Sequence, residues 1–372
     1  MARLMHRPHD PLAGPRYGEA LDVRLLDLDD QVVAELDGVT GASLDSSIHT
    51  TIRSSGSLKI DLTEPIDWHR HRVSLTYRYR CSRGDTHEYP LGVYLPTTPG
   101  ASYFTNRSKS DVELYDKTQL VAAGGMPSTW TVDKGKTVAQ AVRDILATVG
   151  EEDRVIAPDD EGGTLLNAMV FQPGTSKLRM INDILEAANF FSVWVDGDGS
   201  WRLDPYIPPA SRGIEWTHRS GENAIFKEGF THIADGFNVP NEVVVVGRSE
   251  RDEDGNETEP PRALAWNQDP NDPYSIPSRG YTITAEPIQE QDATSLEVLE
   301  EIAQRRLVEM SAVTSTYELE HAWLPTPLNS AVRLVVPEHN IDAVAVLQST
   351  SWSWTAGKRS SLAKSTLRGV KA

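Results

Sequence analysis

The chain has 372 residues, 39% of them hydrophobic and 24% charged, the make-up of a folded protein long enough for two or three domains with separate cores. Its 36 Lys and Arg against 54 Asp and Glu leave a net charge of −18, which argues against gripping nucleic-acid phosphates, because counterion release needs positive charge. No apolar run approaches the roughly 18 residues of a membrane span, and the single cysteine, Cys81, makes neither an internal disulfide nor a cysteine zinc site.

The opening MARLMHRPHDPLAGPRYGE has no apolar core and is broken by prolines. No secretory signal of the usual form is expected there, and folding in a reducing cytoplasm is. Residues 1–120 carry 14 Lys and Arg against 17 Asp and Glu, which leaves 22 against 37 for residues 121–372. The acidity therefore belongs to the middle and the end of the chain, where it serves solubility and would let the protein face DNA without holding it.

From Ala20 to about Val121 the pattern is strand after strand. Leu21 to Leu25 alternates, Leu28 to Gln31 turns, and Val32 to Leu36 runs back. Leu58-Lys-Ile60-Asp-Leu62 alternates until Pro65 stops it. Val73-Ser-Leu75-Thr-Tyr77-Arg-Tyr79 keeps period two throughout, Tyr89 to Leu95 follows, and Ser110 to Tyr115 reads as another strand. Six or seven short strands in about a hundred residues predict an antiparallel barrel or sandwich.

Two amphipathic helices come next. Gly135 to Gly150 carries apolar residues at helical spacing, and Lys177 to about Ala188 repeats the pattern thirty-nine residues later. Gly135, Thr137, Val142, Asp144, Ile145 and Leu146 match Gly174, Ser176, Ile181, Asp183, Ile184 and Leu185, so either the segment is duplicated or Asp-Ile-Leu recurs by chance. After the second helix, Phe191 to Val195 and Trp201 to Leu203 flank Asp196-Gly-Asp198-Gly199, a hairpin turn. Together they predict a small α/β domain with both helices on one face of a sheet.

Ile207 to Gly213 is a proline-containing connector, and residues 214–240 are expected to return to the first β-domain. Glu242 to Gly247 reads as a strand buried on both faces. A charged loop over Glu250 to Pro261 leads to a strand from Arg262 to Trp266, and Asn267 to Arg279 is a Pro/Asp-rich excursion. Thr294 and Glu297 form a capping box for a helix to about Ser311, with Leu296, Leu299, Ile302, Ala303, Leu307 and Met310 as its stripe. Strands are predicted over Thr316 to Trp323, Ala331 to Val336 and Ala343 to Trp354, with an exposed or partner-docked basic tail from Gly357.

Chemistry-bearing motifs are few. His69 and His71, in Trp68-His69-Arg70-His71-Arg72, share one face of an extended segment, but Arg70 and Arg72 would repel a cation, so a basic surface strand is the reading. Asp196-Gly-Asp198 begins like a calcium loop, yet Trp201 stands where the turn glycine belongs; Asp252-Glu-Asp254 fails the same test. No nucleophile elbow, zinc-protease, phosphate-loop or dinucleotide motif occurs. Trp352 and Trp354 share one strand face and read as core or subunit contact rather than a sugar platform. No catalytic, cofactor-binding or metal-ligating residue is predicted.

The order of pieces resembles the tail hub proteins of bacteriophages: the baseplate hub of contractile tails, the late control protein D family, and the N-terminal part of siphophage tail-associated proteins. The residues carrying the likeness are Leu91-Gly-Val93-Tyr-Leu95 before Asp111 to Lys117, the helix and hairpin of Lys177 to Tyr206, Asn241 to Gly247, the late helix, and Leu334 to Pro337. The resemblance implies an α+β, mainly β fold with two antiparallel β-barrel-like domains and a two-helix α/β domain inserted between them. The first would span residues 1–116 and 207–240, the insert 117–206, and the second 241–372 with its helix at about 294–311. It further implies a minor tail protein without enzymatic activity or cofactor, located in the virion at the distal end of the tail. Three copies would form a ring around the DNA channel, which DNA crosses without specific binding. The partners would be a distal tail or tail tube protein, the tape-measure protein, and a tip fibre or spike. This chain would be a hub alone, without the long C-terminal extension of many tail-associated proteins. The alternatives are a sixfold distal tail protein, against which the central insert argues, and a host-envelope carbohydrate-binding or hydrolytic module.

Overall fold

A computed structural model describes residues 16–81, 85–103, 108–222, 224–234, 236–247, 249, 258–289, 296–310, 315–358 and 361–370. The chain divides into two compact units, Met1–Phe230 with Glu318–Leu367, and Thr231–Tyr317 with Arg368–Ala372. The predicted capping box and the Asp252/Asp254 loop lie outside the described residues.

The first unit opens with β1 (Arg16–Leu26), β2 (Val32–Glu35), β3 (Val39–Ser47), β4 (Ser54–Leu62), β5 (Arg72–Cys81), β6 (Thr86–Pro96), β7 (Ala101–Tyr103) and β8 (Ser108–Asp116). They pair antiparallel in the spatial order β3-β4-β8-β6-β5-β1-β2, with β7 beside β8. Period-two alternation decides which residues go inside. On β5, Val73, Leu75, Tyr77 and Tyr79 are fully buried, and they share a core with Leu58, Ile60, Val112 and Leu114. Strand β3 was not predicted. Its sequence, VTGASLDSS, is poor in β-formers, and only Ala42 and Leu44 give it an inward face.

The insert contains α1 (Gln119–Ala122), β9 (Trp130–Val132), α2 (Val138–Leu146), β10 (Val155–Ile156), β11 (Met169–Phe171), α3 (Lys177–Ala187), β12 (Trp194–Val195) and β13 (Trp201–Arg202). Both predicted helices are present. Val142, Ile145 and Leu146 of α2 and Ile181, Ile184 and Leu185 of α3 are buried in one core. The repeat is more than a shared tripeptide, because strand, glycine and helix recur together. β9 and β11 start 39 residues apart, and each leads through a left-handed glycine, Gly135 or Gly174, into its helix. The copies interlock. Gly135 N–H donates to Leu165 O at 2.8 Å, and its counterpart Gly174 N–H donates to Met126 O, the counterpart of Leu165, at 2.7 Å. Likewise Leu165 N–H donates to Lys136 O and Met126 N–H to Thr175 O. β9 and β11 pair antiparallel with Thr131 facing its own equivalent, Val170, as a local twofold axis requires. The reciprocal hydrogen bonds make the two segments a structural repeat about a local twofold axis.

The β12–β13 turn is tight and docked. Asp196 Oδ1 accepts from Asp198 N–H and Ser200 N–H, and Gly199 takes φ +81°. A Cβ on Gly197 would lie 2.2 Å from the Pro90 carbonyl oxygen on β6. Gly197→Ala is therefore expected to push the hairpin off β6 and cost about 1–3 kcal/mol, read as a lower midpoint in chemical unfolding. An unchanged midpoint would show that the turn is not seated there.

After the connector, β14 (Ile214–Arg219) belongs to the first unit, and Trp216 packs against the core of the early strands. β14 pairs parallel with a strand more than a hundred residues later, described below. The second unit holds β15 (Thr231–Ala234), β16 (Glu242–Val246), β17 (Arg262–Trp266), α4 (Ile276–Arg279), β18 (Ile288–Gln289) and α5 (Leu296–Met310). β17, β16 and β18 form one small sheet, and Leu299, Ala303 and Leu307 of α5 pack on Val243, Val245, Ala263 and Ala265. β16 is thus buried on one face only, contrary to expectation: Val243 and Val245 are inside, while Val244 and Val246 are half-buried.

The chain ends with β19 (Ser315–Ala322), β20 (Ala331–Val336), β21 (Ile341–Thr355) and β22 (Leu362–Gly369). β14 lies along β20, with His218 opposite Leu334. The 15-residue β21 serves two strand sets. Its first half pairs with β20, and Ser349 to Thr355 pairs with Ser47 to Gly41 of β3. These C-terminal strands, expected in a separate domain from residue 241, are therefore hydrogen-bonded to the first sheet. The tail is not merely exposed: Ala363, Ser365 and Leu367 of β22 are buried while Lys364 faces out. The fold is mainly β, as expected.

Candidate functional site

The densest constellation of charged side chains among the described residues is a buried junction joining the first sheet to the insert. Asp30 stands in the β1–β2 turn with φ 59°, Arg72 opens β5, Lys117 follows β8, and Glu151 follows α2. All four side chains are at most 5% exposed. Arg72 Nη1 lies 2.6 Å from Asp30 Oδ1 and 2.7 Å from Glu151 Oε1. Lys117 Nζ lies 2.9 Å from Asp30 Oδ2, pairs with Glu151 Oε2, and donates to the Gly199 carbonyl at 3.0 Å. Arg154 adds a third cation 3.1 Å from Asp30, and Trp201 Nε1–H donates to Glu151 Oε2 at 3.1 Å.

Taking such ions out of water is costly, and only mutual pairing with added hydrogen bonds offsets the cost. Burial alone would raise the Asp30 carboxyl, but Lys117 and Arg72 outweigh it and hold the group below the usual carboxylate range. Its contribution to stability is thus complete above the unfolded carboxylate pKa and is lost as pH falls through the lowered value. Arg72 is likewise held in its charged form by Asp30 and Glu151 against desolvation. The junction ties the insert to the first sheet through these paired charges.

Two smaller clusters serve the same end. Arg53 lies over the Trp194 ring at 5.4 Å, and burial lowers its guanidinium to about 10 despite nearby Asp116 and Asp204. Arg212 donates to the carbonyls of Ile207 and Asn329 while stacking on Phe191 and Tyr206. Between β14 and β19, His218 and His321 are both buried, with ring centroids 5.2 Å apart.

The predicted motifs fall elsewhere. His69 and His71 are not on an extended segment: Trp68–Arg70 is a 3-10 turn, His69 bonds Thr98 and His71 bonds the Asp67 carbonyl. Arg72, taken as part of a basic surface strand, is instead buried in the junction because Asp30 and Glu151 are carried to it. Asp196 spends its carboxylate on its own turn, and Trp352 is in the core with Trp354 packed against it. Among the described residues no group of three or more His, Cys, Asp or Glu is placed to hold a metal ion, and no helix is long and apolar enough to cross a membrane. The junction residues were missed because Asp30 and Lys117 are 87 positions apart and no local pattern links them.

The fold and the junction together define a scaffold of mainly β type. No protein-family model matches the chain, and no curated protein matches its sequence. Its fold is that of phage tail proteins. It is similar to the 43 kDa tail protein of prophage MuSo2 from Shewanella oneidensis, with TM-score 0.62 and 13% identity over 94% of this chain and 98% of that one. The tail protein of Neisseria meningitidis MC58 gives TM-score 0.60 and 16% identity over 95% and 97%. A chain of the Francisella PdpA–VgrG complex gives 0.58 at 7% identity, over 96% of this chain and 59% of that chain. The resemblance drawn from the order of sequence pieces holds at the level of the fold.

Proposed function

We propose that this chain is a structural virion protein, a minor tail protein whose three copies form the hub ring at the distal end of a phage tail. The observation that carries this reading is the fold it shares with a prophage tail protein and with a second tail protein, over at least 94% of both partners' lengths. The two strand sets joined by β21 support it. Each would supply one barrel-like domain, so three subunits present six to the sixfold tube and three to a threefold tip. A head-to-tail interface that closes by rotation suits such a ring. Its neighbours would be the distal tail or tube protein, the tape-measure protein and a tip fibre or spike. The acidic chain, net −18, would line or border a channel that DNA crosses without being held. No enzymatic step is assigned.

Electron microscopy of tail particles carrying a tag on this chain tests the proposal. Three copies in a ring at the tail tip are expected. Six copies would point to the sixfold distal tail protein instead. A free monomer that binds glycan or cleaves cell wall would overturn the structural reading in favour of an envelope-directed module.

A further inference from the structure

We propose that the His218–His321 pair is an acid-operated latch that releases strand β14 from β20. His218 is 3% exposed and His321 4%. The Ala322 carbonyl, 2.7 Å from His321 Nδ1, can only accept, so the proton of the neutral ring sits on Nδ1. His321 Nε2 is then the acceptor for Ser365 Oγ–H at 2.8 Å, and Ser365 in turn lies 3.4 Å from Thr350 Oγ1. All acceptor capacity of His321 is used inside the sheet. The neighbouring His218 Nδ1 is buried with no hydrogen-bond partner. A cavity of about 10 Å³, room for one water, lies beside both rings, lined by Leu324, Val332, Leu347 and Leu367 together with the neutral Thr326, Thr350 and Ser365.

No carboxylate faces this interior from any described element packed on it. On β19, Glu318 pairs with Lys364 of β22 and Glu320 with Lys227; on β20 and β21, Arg333 pairs with Asp342. Glu215 and Arg219 of β14 are exposed. The inward positions are Leu319, Val332, Leu334, Leu347, Ser365 and Leu367, none of them ionised. A second proton on His218 therefore creates a buried cation without counterion, which the fold relieves by exposing the ring. β14 is the strand free to do so. It is six residues long and its only strand partner among the described residues is β20.

Burial, with His321 beside it, lowers His218 from 6.5 to about 3 in the closed sheet. In the open form the ring regains its ordinary value, so the open form binds more protons at pH 5 and gains weight as pH falls below about 6.5. The expected effect between pH 7.5 and pH 5 is a roughly 30-fold rise in opening of β14. Hydrogen exchange of the intact chain, corrected for intrinsic rates, reads it directly. Amides of residues 214–219 should lose protection about 30-fold while those of β4 hold, and His218→Phe should abolish the response. A response that persists in His218→Phe, or that spreads equally over all strands, overturns the latch. If that variant does not fold, the pH profile of exchange in the unaltered protein decides. Opening of residues 214–219 that rises about tenfold per pH unit below about 6.5 supports the latch, and opening that stays flat down to pH 5 overturns it. The test does not depend on ring assembly.

Discussion

Replacing Lys117 by methionine is expected to lower the stability of the fold by about 3–5 kcal/mol, measured as a shift in the denaturant midpoint at neutral pH. The side chain is fully buried, so its loss leaves Asp30 and Glu151 with fewer cations and strips the Gly199 carbonyl of its donor. An exposed ion pair would give less than about 1 kcal/mol, and a change of that size would show that the junction does not hold insert and sheet together. Adding Glu151→Gln to Lys117→Met should cost less than the sum of the two single changes, because each removes a partner from the same network. Lowering the pH should mimic these variants only below the ordinary carboxylate range, as it falls toward the depressed Asp30 value.

Trp352→Ala is the second large effect, about 3–5 kcal/mol for an aromatic side chain removed from a packed core. Trp352 is 3% exposed on β21, faces Leu44 of β3 in register, and meets Tyr77 edge-on with centroids 5.8 Å apart. Its loss should therefore loosen strands encoded three hundred residues earlier. Exchange at Leu44 and Leu58 should rise together with exchange along Ser349 to Thr355. Were residues 241–372 an independent domain, only the C-terminal amides would respond. The same coupling predicts that the early strands without β21 would leave the outer edge of Gly41 to Ser47 unpaired and the core short of one of its two buried tryptophans.

Local pattern was enough wherever one residue period governed burial. The alternation of β5, the stripes of α2 and α3, the Asp-Gly turn and the order of the pieces were all legible, and from them the mainly β fold. Pattern misled where partners came from far away. β3 carries few β-formers and is a strand because β4 and β21 flank it. β22 looked like a polar tail, since its small inward residues Ala363 and Ser365 reveal a buried face only beside their neighbours.

The candidate site was less legible still. Asp30, Arg72, Lys117 and Glu151 are each ordinary surface residue types, and their burial comes from pairing across separations that no window along the chain spans. The same holds for His218 and His321, which carry no motif spacing. The structural repeat lies between these cases: its apolar spacing was visible in sequence, but its twofold arrangement came from reciprocal hydrogen bonds between the two segments. Periodicity and turn chemistry are properties of neighbours along the chain, so sequence alone determined elements and fold class. Strand pairing, charge pairing and burial are properties of neighbours in space, and only the tertiary structure decided them.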